Sequence, residues 1–257
     1  MEYKLFESSV VGYKNIKKGS KSQDYIDYKI LDDGVICAVA DGHSTDFFTY
    51  SDEGAKLACK SAISIFERLA KKLIEDIKKE LQEDIVQNQI YDMWMNLVNE
   101  HYRSIKPMVF NTQYLKYSTT LVCTLITDEF RLYLKIGDGS IVVKNGNDYK
   151  NVLESKNKEV VDSLGRERAY KNFIYYIEKN NEDNKLDNII LFTDGYENSF
   201  KNKQMLFKSL ENTINQYNKN VFSRWILYKN YKYYLSKLSS SISKDDISII
   251  YVFNDYK

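Results

Sequence analysis

Residues 35–40 read VICAVA, six apolar residues in a row, and the run ends abruptly in Asp41, Gly42 and His43. A strand without a polar position has no face to show to water, so this one is read as buried. Similar strand character returns at 117–127 (YSTTLVCTLIT), 187–193 (DNIILFT) and 246–253 (DISIIYVF). The β-branched residues Thr119, Thr120, Val122, Thr124 and Ile126 suit a pleated sheet. Further strands are predicted at 3–11, 25–31, 130–136, 140–144 and 170–178. Asp32, Asp33 and Gly34 read as the turn of a hairpin joining 25–31 to 35–40.

From Ser51 the apolar period changes from strand-like to helical. Ala55, Ala58, Ala62, Ile65, Leu69 and Leu73 recur every three or four residues, with Ser51 or Asp52 as the cap. A second helix is predicted over about 84–105, with Ile85, Ile90, Trp94, Leu97 and Val98 inward and Pro107 as its stop. Helices also fill 202–215 and 221–239. Strands flanking two blocks of helices imply an α+β layer sandwich: antiparallel sheets with helices packed outside. With no linker and no repeat, residues 1–257 are read as one domain.

Composition removes several classes of function. The 37 basic and 36 acidic residues balance, which gives no global footprint for nucleic acid or an anionic membrane. Three scattered cysteines, Cys37, Cys59 and Cys123, argue for a reducing compartment and against a disulfide framework. The first residues, MEYKLFESSV, lack the basic start and apolar core of a signal peptide, and no apolar run reaches the length of a membrane span. A soluble, cytoplasmic protein is expected.

Four of the ten glycines follow an aspartate: Gly34, Gly42, Gly139 and Gly195. Asp33-Gly34 and Asp138-Gly139 lie between strands and read by position as turns. Asp41-Gly42 and Asp194-Gly195 instead terminate apolar strands, and the pair Asp245 and Asp246 opens the last strand. Rigid strand ends are good places to project functional groups. If these ends meet, their carboxylates make an all-oxygen site suited to Mg²⁺ or Mn²⁺; the two histidines and scattered cysteines do not make a structural zinc site.

At this point the motifs carry a family resemblance. DGHS at 41–44 resembles the Asp-Gly-His segment of the metal-dependent serine/threonine protein phosphatases, type 2C (the PPM family). SQD at 22–24, STTLV at 118–122, IGDGSIVV at 136–143, SLG at 163–165, LFTDGYEN at 191–198 and KDDISII at 244–250 resemble its other landmarks in the same order. The likeness runs from about residue 11 to 253. It implies a four-layer α-β-β-α sandwich, with two mainly antiparallel sheets packed face to face. It also implies hydrolysis of protein phosphoserine and phosphothreonine by a hydroxide bridging two Mg²⁺ or Mn²⁺ ions, with a possible third ion.

The resemblance implies roles residue by residue. Asp41 bridges the two ions, the Gly42 carbonyl binds one, and Asp194 and Asp245 complete the other. Asp138 joins Asp194 on the third ion, and Asp24 orients water. Asp246 stands where the family often has Asn and takes a supporting place. His43 donates the proton to the leaving group, since an imidazole titrates near working pH. Two departures bear on activity. Gln23 stands where many members have a Glu ligand, as in a bacterial-like variant with Gln-Asp in the first motif. Gly19 replaces the arginine that grips the substrate phosphate, leaving Lys17, Lys18 or Lys21 to substitute as point charges, or simply to form a solvated loop.

The implied partners are a phosphorylated protein substrate and a cognate serine/threonine kinase, with the chain itself a monomer. Gln23 and Gly19 motivate a second reading, an inactive or weak pseudophosphatase that acts as a phosphoprotein-binding or regulatory module. Residues 212–244 hold no acid, six basic residues and interleaved aromatics. They read as a helix with a basic solvent face, or as a surface for an acidic partner or single-stranded nucleic acid. The last option underlies a distant third reading, a metal-dependent nuclease.

Overall fold

The computed structural model describes residues 2–106, 108, 111–154, 161–181 and 184–255. Among the described residues, ten strands form two antiparallel five-stranded sheets. In chain order they are β1 (Glu2–Val10), β2 (Asp24–Ile30), β3 (Gly34–Asp41), β4 (Leu121–Thr127), β5 (Phe130–Ile136), β6 (Ser140–Asn145), β7 (Asp148–Asn151), β8 (Ile174–Lys179), β9 (Asn188–Phe192) and β10 (Ile247–Asp255). One sheet has the order β1-β10-β9-β6-β7 and the other β2-β3-β4-β5-β8. The helices are α1 (Tyr13–Lys18), α2 (Ser51–Leu69), α3 (Ile74–Gln82), α4 (Ile85–Ile105), α5 (Asp194–Glu197), α6 (Lys203–Lys219) and α7 (Val221–Leu238).

The unbroken apolar run of β3 follows from its place inside its sheet, where it needs both faces covered. Val35, Cys37 and Val39 point between the sheets, against Ile189 and Leu191 of β9 and Ile250 and Val252 of β10. The alternate residues Ile36, Ala38 and Ala40 point the other way, into a core shared with Ala55 and Ala58 of α2 and Trp94 of α4. On the far side of the second sheet, Phe6, Phe192 and Tyr251 pack with Leu210 of α6 and Tyr231 and Leu235 of α7. The result is the expected helix-sheet-sheet-helix order. Cys37, Cys59 and Cys123 are buried free thiols within it. Among the described residues, no helix is long and apolar enough to cross a membrane.

Several local expectations differ from the structure. Leu73 does not extend α2; that helix ends at Leu69, and Leu73 is 70% exposed at the start of the separate α3. Ser51 does not cap α2: Tyr50 holds the cap position, and the Ser51 hydroxyl donates to the His43 carbonyl at 2.9 Å. The predicted strand over 117–127 begins only at Leu121, after a 3-10 turn at Tyr114–Tyr117. Helix α1 occupies what reads as a lysine loop, and β7 has four polar or half-buried residues with no apolar alternation to mark it. Pro107, the expected stop of α4, lies outside the described residues.

Candidate functional site

The carboxylates that end separate strands face one another across the two sheets. Asp24 opens β2 directly opposite Asp41, the last residue of β3. Asp41 is pinned through its backbone: its carbonyl accepts from the Thr120 N–H at 2.8 Å and the Thr119 hydroxyl at 3.0 Å. Asp194 begins α5 immediately after β9, in the other sheet, and its carboxyl hydrogen-bonds that of Asp41. The Thr193 hydroxyl spans the sheets as well, donating to Asp24 Oδ2 at 2.8 Å while accepting the Ser248 N–H at 3.0 Å. Asp138 lies in the crossing from β5 to β6, and its charge is felt at both Asp41 and Asp194.

Two glycines bring the backbones together. A Cβ on Gly42 would meet the Ser51 carbonyl oxygen at 2.5 Å, and one on Gly195 would overlap the Asp246 carbonyl. Gly42 is therefore required by its contact with the start of α2, a reason additional to any approach of its carbonyl to an ion. His43 follows on the same loop. Its N–H donates to the Ser118 carbonyl at 3.1 Å, and its ring rests 4.9 Å from that of Phe48.

Asp245 and Asp246 point to different places. Asp246 is buried and accepts from the Gly12 N–H, the Asn15 amide (3.0 and 3.1 Å) and the Gln23 N–H (2.7 Å). It thus ties α1 and the start of β2 to the start of β10. Gln23 is part of the same tie, its side-chain oxygen accepting from Asn15 at 3.2 Å. Asp245 stays partly exposed beside Lys14 at 3.5 Å, and its negative charge acts on Asp194. Of the three lysines expected at the phosphate, Lys17 lies over the Tyr13 ring at 4.7 Å, Lys18 pairs with Asp46 at 3.5 Å, and Lys21 is exposed.

The electrostatics are those of crowded acids. Burial, then the charge of Asp246, raises Asp24 well above the ordinary carboxylate range. Burial, followed by Asp24 and Asp194, does the same to Asp41. Asp194 rises to about 6, chiefly through burial and then Asp138, and burial also raises Asp138. His43 is shifted down by burial, against the pull of Asp138.

This donor set fits hard divalent cations in its chemistry. It is all oxygen, the like charges need a counter-charge, and the buried Asp24 Oδ1 has no hydrogen-bond partner. Among the described residues, however, no three side chains of the metal-ligating types stand in a geometry that would hold one ion. Asp41 and Asp194 turn to each other rather than to a common centre.

The sequence reading overlooked residues whose importance depends on which strand ends meet. Lys135 is buried under the Asp138 turn, where its ammonium donates to the Gly139 carbonyl at 2.9 Å. The only trace of it in the sequence is a lysine inside the apolar strand FRLYLKI. Arg166 is close enough for its charge to depress His43 further. Asn15 and Lys14 carried no motif signal, and Thr193 lay inside LFTDGYEN without a role assigned to it.

The acid cluster predicts a pH dependence of stability. An Asp194 that titrates at about 6 in the fold, against about 3.9 in an unfolded chain, binds its proton more tightly when folded. Its contribution is therefore full below about pH 4 and is lost as pH rises through about 6, on the order of 3 kcal/mol in total. Without divalent ions, Tm should fall between pH 5 and 7.5. Mn²⁺ should restore it at the higher pH and do little at the lower. A flat profile, or equal stabilisation by Mn²⁺ at both values, would contradict the cluster's electrostatics.

Comparison with known proteins points one way. The sequence family described as Protein phosphatase 2C matches residues 11–227. The serine/threonine phosphatase Stp1 from Staphylococcus aureus shares 16% identity over 99% of this chain and 96% of its own, with a TM-score of 0.64. The catalytic domain of the serine threonine protein phosphatase PstP, in complex with 2 manganese ions, shares 12% identity over 98% and 97%, with a TM-score of 0.60. The S. agalactiae serine/threonine phosphatase shares 14% over 99% and 100%, with a TM-score of 0.58. At such identities these structures speak for the fold. No curated protein matches the chain.

Proposed function

This chain belongs to the protein phosphatase 2C family, and on that premise we propose that it hydrolyses phosphoserine and phosphothreonine in proteins with Mg²⁺ or Mn²⁺ held by its strand-end aspartates. The observation that carries the reading is the meeting of Asp24 and Asp41 from one sheet with Asp194 from the other, around the Asp41–Asp194 contact. Asp41, Asp194, Asp245 and the Gly42 carbonyl would hold two ions, and Asp138 with Asp194 a third. When bound, such ions supply an activated water and neutralise phosphoryl oxygens.

The chain's own residues do the rest. Asp24 is fixed by Thr193 and keeps one oxygen unpartnered to orient water. Asp246, Asn15 and Gln23 fix α1 and the turn after it, which carry the lysines offered to the substrate phosphate. Lys17, Lys18 and Lys21 attract that phosphate as point charges in place of a fork-shaped guanidinium. His43 sits on a braced loop near Asp138, whose charge offsets part of the burial that holds its pKa below the usual value, and delivers a proton to the departing serine or threonine oxygen.

His43→Ala should lower phosphothreonine-peptide hydrolysis by roughly 10²-fold. It should barely change hydrolysis of p-nitrophenyl phosphate, whose leaving group needs no proton. Equal losses on both substrates would remove His43 from the proton-donor role. The contact between Asp41 and Asp194, and the Lys14–Asp245 pair, favour a second reading as a phosphoprotein-binding module without turnover. Calorimetry with Mn²⁺ separates the two: a binding isotherm that Asp194→Asn weakens supports the enzyme, and no binding supports the module.

A further inference from the structure

A groove enclosing about 300 Å³ runs between α1 and α7, lined by Tyr13 and Ile16 on one side and Tyr233, Ser236, Lys237 and Ser240 on the other. Its apolar walls are open to solvent: Ile16 is 58% and Tyr233 74% exposed. Its charge has one sign. Two ammonium groups flank the Tyr13 ring, Lys17 at 4.7 Å and Lys244 at 5.0 Å, and the exposed Lys237 adds a third. No carboxylate lines it, and residues 212–244 contain no acid at all.

Helix α1 links the groove to the carboxylate cluster. The Tyr13 N–H donates to Ser239 Oγ, which itself donates to the Asp245 carbonyl. Lys14, the next residue, reaches the Asp245 carboxylate, and Asn15 holds Asp246. A polypeptide that places a phosphorylated residue at the cluster would therefore run on over α1. An apolar trough rimmed by cations suits a segment that combines acidic side chains with an apolar anchor.

We propose that this groove binds an acidic, apolar-anchored segment of the phosphoprotein substrate next to the phosphorylated residue. The proposal rests on the phosphatase reading for its orientation but has its own test. Two phosphothreonine peptides of equal length are compared, one flanked by Asp, Glu and Leu, the other by Ser and Gln. The acidic peptide should show a kcat/KM about five- to tenfold higher, expressed in KM and weakened by salt. Lys237→Glu and Tyr233→Ala should each erase the preference and leave p-nitrophenyl phosphate hydrolysis unchanged. No preference in the wild type, or a preference that survives both substitutions, overturns the proposal.

Fluorescence anisotropy with a labelled, unphosphorylated acidic peptide tests the groove independently of turnover. Binding lost in Lys237→Glu supports it; no binding overturns it. If p-nitrophenyl phosphate is not hydrolysed, the phosphatase reading fails and anisotropy still decides the groove. Sedimentation with phosphatidylserine vesicles that Lys237→Glu abolishes, with no peptide binding, would overturn the proposal in favour of a lipid surface.

Discussion

Asp41→Asn is expected to lower phosphothreonine-peptide hydrolysis by roughly 10³-fold and to raise Tm in the absence of divalent ions. The two effects share one cause. Asp41 lies opposite Asp24 and against Asp194, all in a buried setting that raises their pKa values. A neutral amide of the same size removes a charge the fold resists holding. The relief is partial, since the neighbouring acids keep their own burial cost. The backbone ties of Asp41 to Thr119 and Thr120 do not involve the side chain, so the strand end stays in place. Measured together, kcat/KM and the melting curve test this trade of stability for chemistry. A loss below tenfold would remove Asp41 from the centre of the reaction, and a lower Tm would mean that its carboxylate stabilises the fold.

Asp246→Ala is expected to do the opposite to stability. Its carboxylate gathers the Gly12 N–H, the Asn15 amide and the Gln23 N–H, all inside the protein. Removing it takes the acceptor from the Gly12 and Gln23 N–H groups, leaves Asn15 with only the Gln23 side chain, and costs roughly 3 kcal/mol. Activity should fall as well, because α1 and the Gln23–Asp24 segment lose their common anchor. Chemical denaturation measures the first effect. A change under about 1 kcal/mol would mean that water replaces the carboxylate readily. Asp246→Asn should recover part of the stability, since one amide oxygen can still accept.

The sequence made the scaffold legible wherever burial left a periodic trace. Apolar runs betray strands covered on both faces, as in β3, and the spacing from Ala55 to Leu69 betrays α2. Where burial is slight the trace disappears: α1 exposes its lysines, and β7 is an edge strand of polar residues. Helix α3 does carry a period, Ile74, Ile77 and Leu81, but the exposed Leu73 disguises the break from α2. The candidate site was legible as a set of aspartates at strand ends, because few structural duties require a carboxylate there. Its wiring was not. Thr193 reaching Asp24, or Lys135 supporting the Asp138 turn, depends on contacts between sheets, and no spacing along one chain encodes those.

The division of the acids between the sheets has a mechanical consequence. Asp24 and Asp41 ride on one sheet, Asp194 and Asp245 beside the strand ends of the other, and the packing of Val39 and Val122 against Leu191 and Ile250 keeps the two aligned. The sandwich is thus a caliper whose jaws are the aspartates. A bulkier residue in that middle layer would part the jaws without touching them. On the proposed function, cation affinity becomes a gauge of sheet spacing, readable from substitutions buried far from any charge.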